Sequence, residues 1–271
     1  MILPRKCVRS LIRDYPGEVS VNLCCHLQRG LAVKSMSMDD LQQMIGSVPH
    51  WYHQFEFAPG VLTPGTRNSR DVLAQLNLPQ NMAGMRVLDI GARDGFFSFE
   101  CERRGATEVV PLDYIPAEQT GFPVAKRILG SSLNLIHDNI YNLTSQKYGY
   151  FDMVLMLGLF YHLPDPMRAL DIVFSLMKPQ ARLYLETIVI DEQLPAEMAR
   201  RPFMLFYPKS SKDGDHTNYW GMTEACVVAM LQENNFAVLN NSREGERGAF
   251  QAIKSGADAD YYLKISRGLV E

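Results

Sequence analysis

One segment constrains the fold more than any other. Arg86 to Ile90 is a short run built on Val87, Leu88 and Ile90, followed by a turn bounded by Gly91 and Gly95 and then by a helical pattern from Phe96 to Arg104 that ends at Gly105. A buried strand, a glycine-bounded turn and a helix in that order form the first half of a βαβ unit, which leads to a parallel sheet with helices on both faces. The pattern then repeats. Strands are expected at Glu108 to Asp113, Asn134 to His137, Phe151 to Leu157 and Arg182 to Val189, with helices near Val124 to Leu129 and Met167 to Met177 between them. Five βα units in a row predict a doubly wound α/β domain.

The flanks are less regular. Ser37 opens a capped helix, with Asp40 at its third position. Trp51 to Gly60, closed by Thr63-Pro64-Gly65, crowds aromatic residues among turn formers and suits a lid or pocket wall. Residues up to about Lys34 carry no clear period and read as a loose extension. Residues 190–222 interrupt the alternation with Pro, Lys, Asp and aromatic residues, as an insertion over the strand ends would. A helix from Thr223 to Asn234 and two strands, Phe236 to Asn240 and Ala249 to Lys254, close the sheet as a hairpin, giving seven strands with the last antiparallel. The expected organisation is an extension and lid over 1–66, a core over 67–257 and a tail over 258–271.

With 271 residues, the chain is long enough for one large domain and short for two. Its net charge of −3 supplies no global positive field for nucleic acid or an anionic membrane, so a small-molecule substrate is favoured. The five cysteines lack CxxC spacing and a histidine ladder, so no metal centre is expected. No run approaches 18 apolar residues and nothing reads as a cleavable leader, so a cytoplasmic setting with reduced thiols is the expectation.

A nucleotide-type ligand in such a sheet lies beyond the carboxyl ends of the strands, against the first βα turn. Gly91, Ala92 and Gly95 sit in that turn. The dinucleotide fingerprint requires a glycine where this chain has Arg93, so NAD or FAD fits poorly. Asp113 ends the second strand, where one carboxylate can accept hydrogen bonds from both hydroxyls of a ribose. Tyr161 and His162 follow the fourth strand, and a neutral imidazole there can take a proton from an oxygen or nitrogen nucleophile. His53, Glu186, Tyr207, Tyr219 and Trp220 are the candidate substrate contacts, because they place polar tips on aromatic or strand-end positions. Trp51 reads as packing.

The run from Asp89 to Gly95 resembles motif I of class I methyltransferases, in which an acid and glycines hold a cofactor that lacks phosphate. A closer resemblance covers Asp89 to Tyr114, Gly158 to Pro166 and Leu185 to Asp191: these blocks are similar to the methyltransferase family that contains the bacterial wobble-uridine tRNA carboxymethyltransferase and its small-molecule relatives. The resemblance implies a Rossmann-like core and S-adenosyl-L-methionine, plain or carrying a modified methyl, as cofactor. It further implies that Asp89 and Tyr114 belong to the cofactor site, that Asp138, Asn139 and Ile140 hold the adenine, and that Leu157 borders the cleft. Two alternatives remain open. A tRNA-modifying enzyme would need a basic groove from Lys126, Arg127, Arg200, Arg201, Lys209 and Lys212, whereas a non-catalytic binding protein would show a blocked cleft or lack the ribose acid.

Overall fold

A computed structural model describes residues 36–255; the expectations for the first 34 residues and for the tail over 258–271 lie outside the described residues. The chain opens with α1 (Met38–Gly46), a ribbon of β1 (Glu56–Ala58) and β2 (Val61–Leu62), and α2 (Ser69–Leu76). The core follows as β3 (Arg86–Ile90), α3 (Phe96–Arg103), β4 (Glu108–Asp113), α4 (Phe122–Leu129), β5 (Ile136–His137), α5 (Ser145–Tyr148), β6 (Phe151–Leu157), α6 (Pro166–Ser175) and β7 (Met177–Ile188). Then come α7 (Ala196–Ala199), a second ribbon of β8 (Met204–Phe206) and β9 (Trp220–Met222), α8 (Glu224–Glu233), β10 (Phe236–Glu244) and β11 (Arg247–Lys254).

The large sheet has seven strands in the order β10-β11-β7-β6-β3-β4-β5. β5, β4, β3, β6 and β7 run parallel, and β11 lies antiparallel between β7 and β10. This is the Rossmann-like architecture expected from the sequence. The central strands are buried on both faces, which explains why β6 reads as a continuous apolar run rather than an alternating one. From β3 the chain winds outward through β4 and β5, then crosses back to β6 and β7. The winding direction reverses beside β3, and a crevice opens there at the carboxyl ends.

Three apolar clusters cover the sheet and its flank. One packs α6 and α8 on β6, β7 and β11, and another packs α2 and α3 on the opposite face through Val72, Leu76 and Phe97. The third joins the N-terminal segment to the core: Trp51, Phe55 and Phe57 sit with Phe99 of α3 and Phe122 of α4. Trp51 is 1% exposed, its Nε1 donates to the Ile45 carbonyl at 3.0 Å, and its ring lies where a methyl on Gly121 would fall, 2.4 Å away. The aromatic run is therefore the mortar that fixes α1 and the first ribbon to the core.

Several elements differ from expectation. The aromatic loop is partly a strand ribbon, since Glu56 and Leu62 face each other across a Gly60 turn. Ser69 to Leu76 is a helix that the apolar pattern did not announce, because it buries only Ser69, Val72 and Leu76. β5 shortens to two residues, while β7 begins at Met177, with exposed residues and a left-handed Gln180 preceding its buried stretch.

Trp51→Ala is expected to destabilise the protein by about 3–5 kcal/mol, the usual cost of emptying a large aromatic site. Urea denaturation measures the loss, and hydrogen exchange should rise across residues 38–62 first; a loss under about 1 kcal/mol would show that the segment is held by something else.

Candidate active site

A cleft of about 640 Å³ opens at the carboxyl ends of β3, β4 and β6, within the size range of small-molecule and cofactor sites. A smaller hollow of about 250 Å³, around Pro79, Asp152 and Lys178 at the strands' amino ends, contains none of the sequence's candidate residues.

The floor of the cleft is the turn between β3 and α3. Gly91 and Ala92 donate their N–H groups to the Leu112 carbonyl at 2.8 and 3.0 Å, which ties the turn to β4. Gly91 has φ +80° and Gly95 φ +87°, in the left-handed region that glycine tolerates. Gly95 is constrained in space as well, because a Cβ there would lie 2.5 Å from the Phe122 ring and 2.7 Å from Phe99. Arg93 also adopts a positive φ, 52°, and its N–H donates to Asp113 Oδ2 at 2.9 Å.

Asp113 borders the cleft and is 3% exposed. Its Oδ1 accepts from the Ile115 N–H at 2.8 Å, so each oxygen holds one backbone donor and keeps a lone pair for another. Burial raises its pKa above the ordinary carboxylate range, against those two hydrogen bonds. Such a pre-positioned double acceptor is what the two hydroxyls of a ribose require.

Two further acids serve the frame. Asp94 has no exposed surface and accepts three backbone N–H groups: Tyr52 at 2.7 Å, His53 at 2.8 Å and Gly121 at 2.8 Å. It thereby locks the N-terminal segment and the start of α4 onto the turn. Asp89 is buried behind the turn, where it accepts from Ser98 Oγ at 2.5 Å, and burial pushes its pKa up to about 7. The structure removes Asp89 from the cleft wall, and it leaves Ala92 and Gly95 as support rather than lining.

Tyr114, Asn139, Ile140 and Leu157 do line the cleft. Asp138 lines it too, but its carboxylate is committed to Lys147 Nζ at 2.6 Å, Tyr148 Oη at 2.5 Å and the Asn139 N–H at 2.7 Å, which hold its pKa far below the usual range. The Asp138 side chain is thus a local brace, and ligand contact at this edge falls to Asn139 and Ile140.

On the opposite wall, His162 lines the cleft beside Thr217 and Tyr219 of the insertion and Tyr52 of the N-terminal segment. Burial lowers the His162 pKa, partly offset by hydrogen bonding to Thr217, so the ring is neutral near pH 7. Tyr161 lies behind it, with ring centroids 4.0 Å apart, and carries the Arg247 guanidinium 5.1 Å from its own ring centre. Glu186 is 1% exposed and gripped by Arg67 at 2.6 Å and by Arg247 at 2.5 and 2.7 Å. Two guanidiniums on one carboxylate leave an excess positive charge close to Gly158, where Tyr52 Oη also approaches. Burial, with Tyr161 nearby, pushes the Tyr52 pKa up to about 12, so that hydroxyl stays protonated.

Four expected substrate contacts are displaced. His53 packs edge-on against Phe97, and burial holds its pKa down despite Asp94 beside it. Glu186 is consumed by its arginines. Tyr207 turns its hydroxyl toward Gly221, and Trp220 donates Nε1 to the Leu163 carbonyl at 2.9 Å and packs on Phe206. Of the five, Tyr219 alone lines the cleft. Asp94, Arg67, Arg247 and Thr217 carry the site without having been singled out as contacts from sequence.

A family model described as a methyltransferase domain matches residues 66–241. The ubiquinone biosynthesis O-methyltransferase of Xanthomonas euvesicatoria pv. vesicatoria (strain 85-10) is 30% identical over 107 residues, which cover 40% of this chain and 44% of that protein. The tRNA U34 carboxymethyltransferase of Helicobacter pylori (strain G27) is 24% identical over 110 residues, 40% of this chain and 42% of that one. The chain thus spans less than half the length of these curated relatives. Among solved structures, the N-terminal domain of EvdMO1, crystallised in the presence of SAH and D-fucose, aligns with a TM-score of 0.55 at 19% identity, over 82% of this chain and 98% of that one. At that identity the likeness shows the fold.

The His53 environment has a consequence for stability. Its folded pKa lies below the unfolded value of 6.5, so the neutral ring stabilises the fold above pH 6.5 and that contribution is lost as pH falls. Relative to wild type, His53→Phe should therefore gain about 2 kcal/mol between roughly pH 7 and pH 5. Denaturation curves at both pH values measure the difference, and a pH-independent difference would show that the ring protonates freely in the native state.

Proposed function

Because the chain belongs to the methyltransferase-domain family, we propose that it transfers a methyl group from S-adenosylmethionine to an oxygen or nitrogen nucleophile of a small molecule. The observation that carries this reading is Asp113: a buried carboxylate at the end of β4, facing an open cleft with one free lone pair on each oxygen. The non-catalytic alternative would need a filled cleft or a missing acid, and neither is found. The tRNA reading gains no support from Lys212, which is paired with Glu246 and Asp213.

In this reading Asp113 grips the ribose, Asn139 and Ile140 flank the adenine, and the left-handed turn at Gly91 lets ligand atoms approach the backbone. The cofactor, when bound, would supply an electrophilic methyl on a sulfonium, with the sulfide as leaving group for the acceptor's lone pair. Tyr52, Tyr219 and the wall around Gly158 hold the acceptor and exclude water. His162 takes the proton that the acceptor's O–H or N–H gives up. Tyr161 acts behind it, as a platform between His162 and Arg247. The catalytic unit we assign is 67–257, with 190–222 forming the substrate side. A cytoplasmic setting accords with the free, buried thiols of Cys101 and Cys226.

Calorimetric titration should detect S-adenosylhomocysteine binding, and Asp113→Ala should weaken it about 100-fold, as loss of two charge-assisted hydrogen bonds implies. No binding to the intact protein would overturn the reading. With a panel of hydroxyl and ring N–H acceptors, His162→Gln should lower methyl transfer roughly 10²- to 10⁴-fold while S-adenosylhomocysteine affinity holds. Because the His162 pKa is lowered, the rate should fall with acid only below pH 6.5. Equal loss of turnover and affinity in the variant would make His162 structural.

A further inference from the structure

The insertion brings two polar residues to the back of His162, and their proton inventory fixes the state of its ring. His162 Nδ1 lies 3.0 Å from the Thr217 carbonyl and 2.9 Å from Thr217 Oγ1. The carbonyl can only accept. Thr217 has a single hydroxyl proton, and it is donated to Asp215 Oδ1 at 2.7 Å, so Oγ1 also presents only a lone pair toward the ring. Asp215 is held in place by a second bond to the same oxygen, from the Thr217 N–H at 2.8 Å. Two acceptors facing Nδ1 require that Nδ1 carry the proton. In a neutral ring Nε2 is then the bare nitrogen, and the ring lines the cleft with Asp215 and Thr217 beside it.

We propose that Thr217 and Asp215 are positioning residues that hold His162 in its Nδ1–H tautomer, leaving Nε2 as the proton acceptor, and that the Asp215 charge stabilises the imidazolium formed when Nε2 accepts. The inference rests on His162 being the base of the proposed methyl transfer. The step balances: the acceptor's O–H or N–H bond breaks, its electron pair stays with the heteroatom that bonds the methyl, and the proton goes to the Nε2 lone pair. The Asp215 carboxylate reaches the ring through the Thr217 hydroxyl, so positive charge on the ring strengthens both hydrogen bonds in the chain. Among the described residues, other charged or titratable groups around the ring are Arg247 and Arg93, which oppose that charge, Tyr161, whose ring is tilted against it, and Tyr52 and Tyr219, which share the cleft wall. Asp215 thus favours the charged ring against two guanidiniums, of which Arg247 is itself paired with Glu186. The insertion also reaches this loop directly, with the Tyr219 N–H donating to the Tyr161 carbonyl at 3.1 Å.

The test is long-range proton–nitrogen NMR on the full chain saturated with S-adenosylhomocysteine, with the His162 signals identified by their absence in His162→Gln. Wild type should show a protonated Nδ1 and an unprotonated Nε2 at alkaline pH. Asp215→Asn preserves the shape of the carboxylate and removes its charge, so the His162 titration midpoint should drop by about half a unit or more. Thr217→Val breaks the relay to Asp215 while the backbone carbonyl still faces Nδ1, so Nδ1 should stay protonated and the midpoint should drop, in a protein whose amide spectrum stays dispersed. An Nε2–H tautomer in wild type, or an unchanged midpoint in folded Asp215→Asn, would overturn the proposal. These outcomes separate from failure of the proposed activity, which would appear as absent S-adenosylhomocysteine binding whatever the tautomer.

Discussion

A carboxylate without exposed surface, Asp94, holds the molecule's working end together. Its two oxygens collect N–H groups from Tyr52, His53 and Gly121, from chain segments that the Trp51 and Phe122 rings also pack together. Among the described residues no arginine or lysine pairs with it, and three backbone donors hold its oxygens. Once they are engaged, the turn from Gly91 to Gly95 cannot relax, α4 must begin where Phe122 meets Gly95, and the Trp51 segment must lie against the core. The cleft's floor and one of its walls are consequences of that one group. Arg93, forced into the left-handed region inside the same turn, then directs its N–H at Asp113 and aligns the acid on which the proposed cofactor site depends.

The legible part of the fold was the part governed by local patterning. β3, β4 and β6 are buried on both faces, so they read as mainly apolar rather than alternating, and their limits fall where expected. The closing hairpin was legible as two apolar stretches around a polar turn, although pairing extends further, to Glu244 and Arg247. α2 was not, because it is short and only two of its apolar side chains, Val72 and Leu76, are fully buried. The ribbon of β1 and β2 was hidden by its own aromatics, which suit a packed loop equally well.

The site divides along the same line. Asp113 and the glycine turn announce themselves because their meaning is set by position at the end of a strand. Asp94 and Glu186 do not, because partners 42 and 119 residues away decide what they do. The same holds for Thr217, 55 residues from the histidine it orients. Glu186 looked like a ligand-binding acid for the right reason, a strand-end carboxylate near the cleft, yet two arginines occupy it. Asp89 looked like a cofactor acid and instead accepts the Ser98 hydroxyl in the first turn of α3. Polar residues in α/β enzymes thus divide into those that face the ligand and those that hold the frame, and only tertiary contacts assign them.

The account stands on a nucleoside lying across the ends of β3 and β4. The most direct measurement is a crystal structure of the protein with S-adenosylhomocysteine. It should show the two ribose hydroxyls within about 2.5–3.0 Å of Asp113 Oδ1 and Oδ2, with the adenine beside Asn139 and Ile140. A ligand bound elsewhere, or an Asp113 still contacting only Arg93 and Ile115 while the nucleoside is bound, would contradict it.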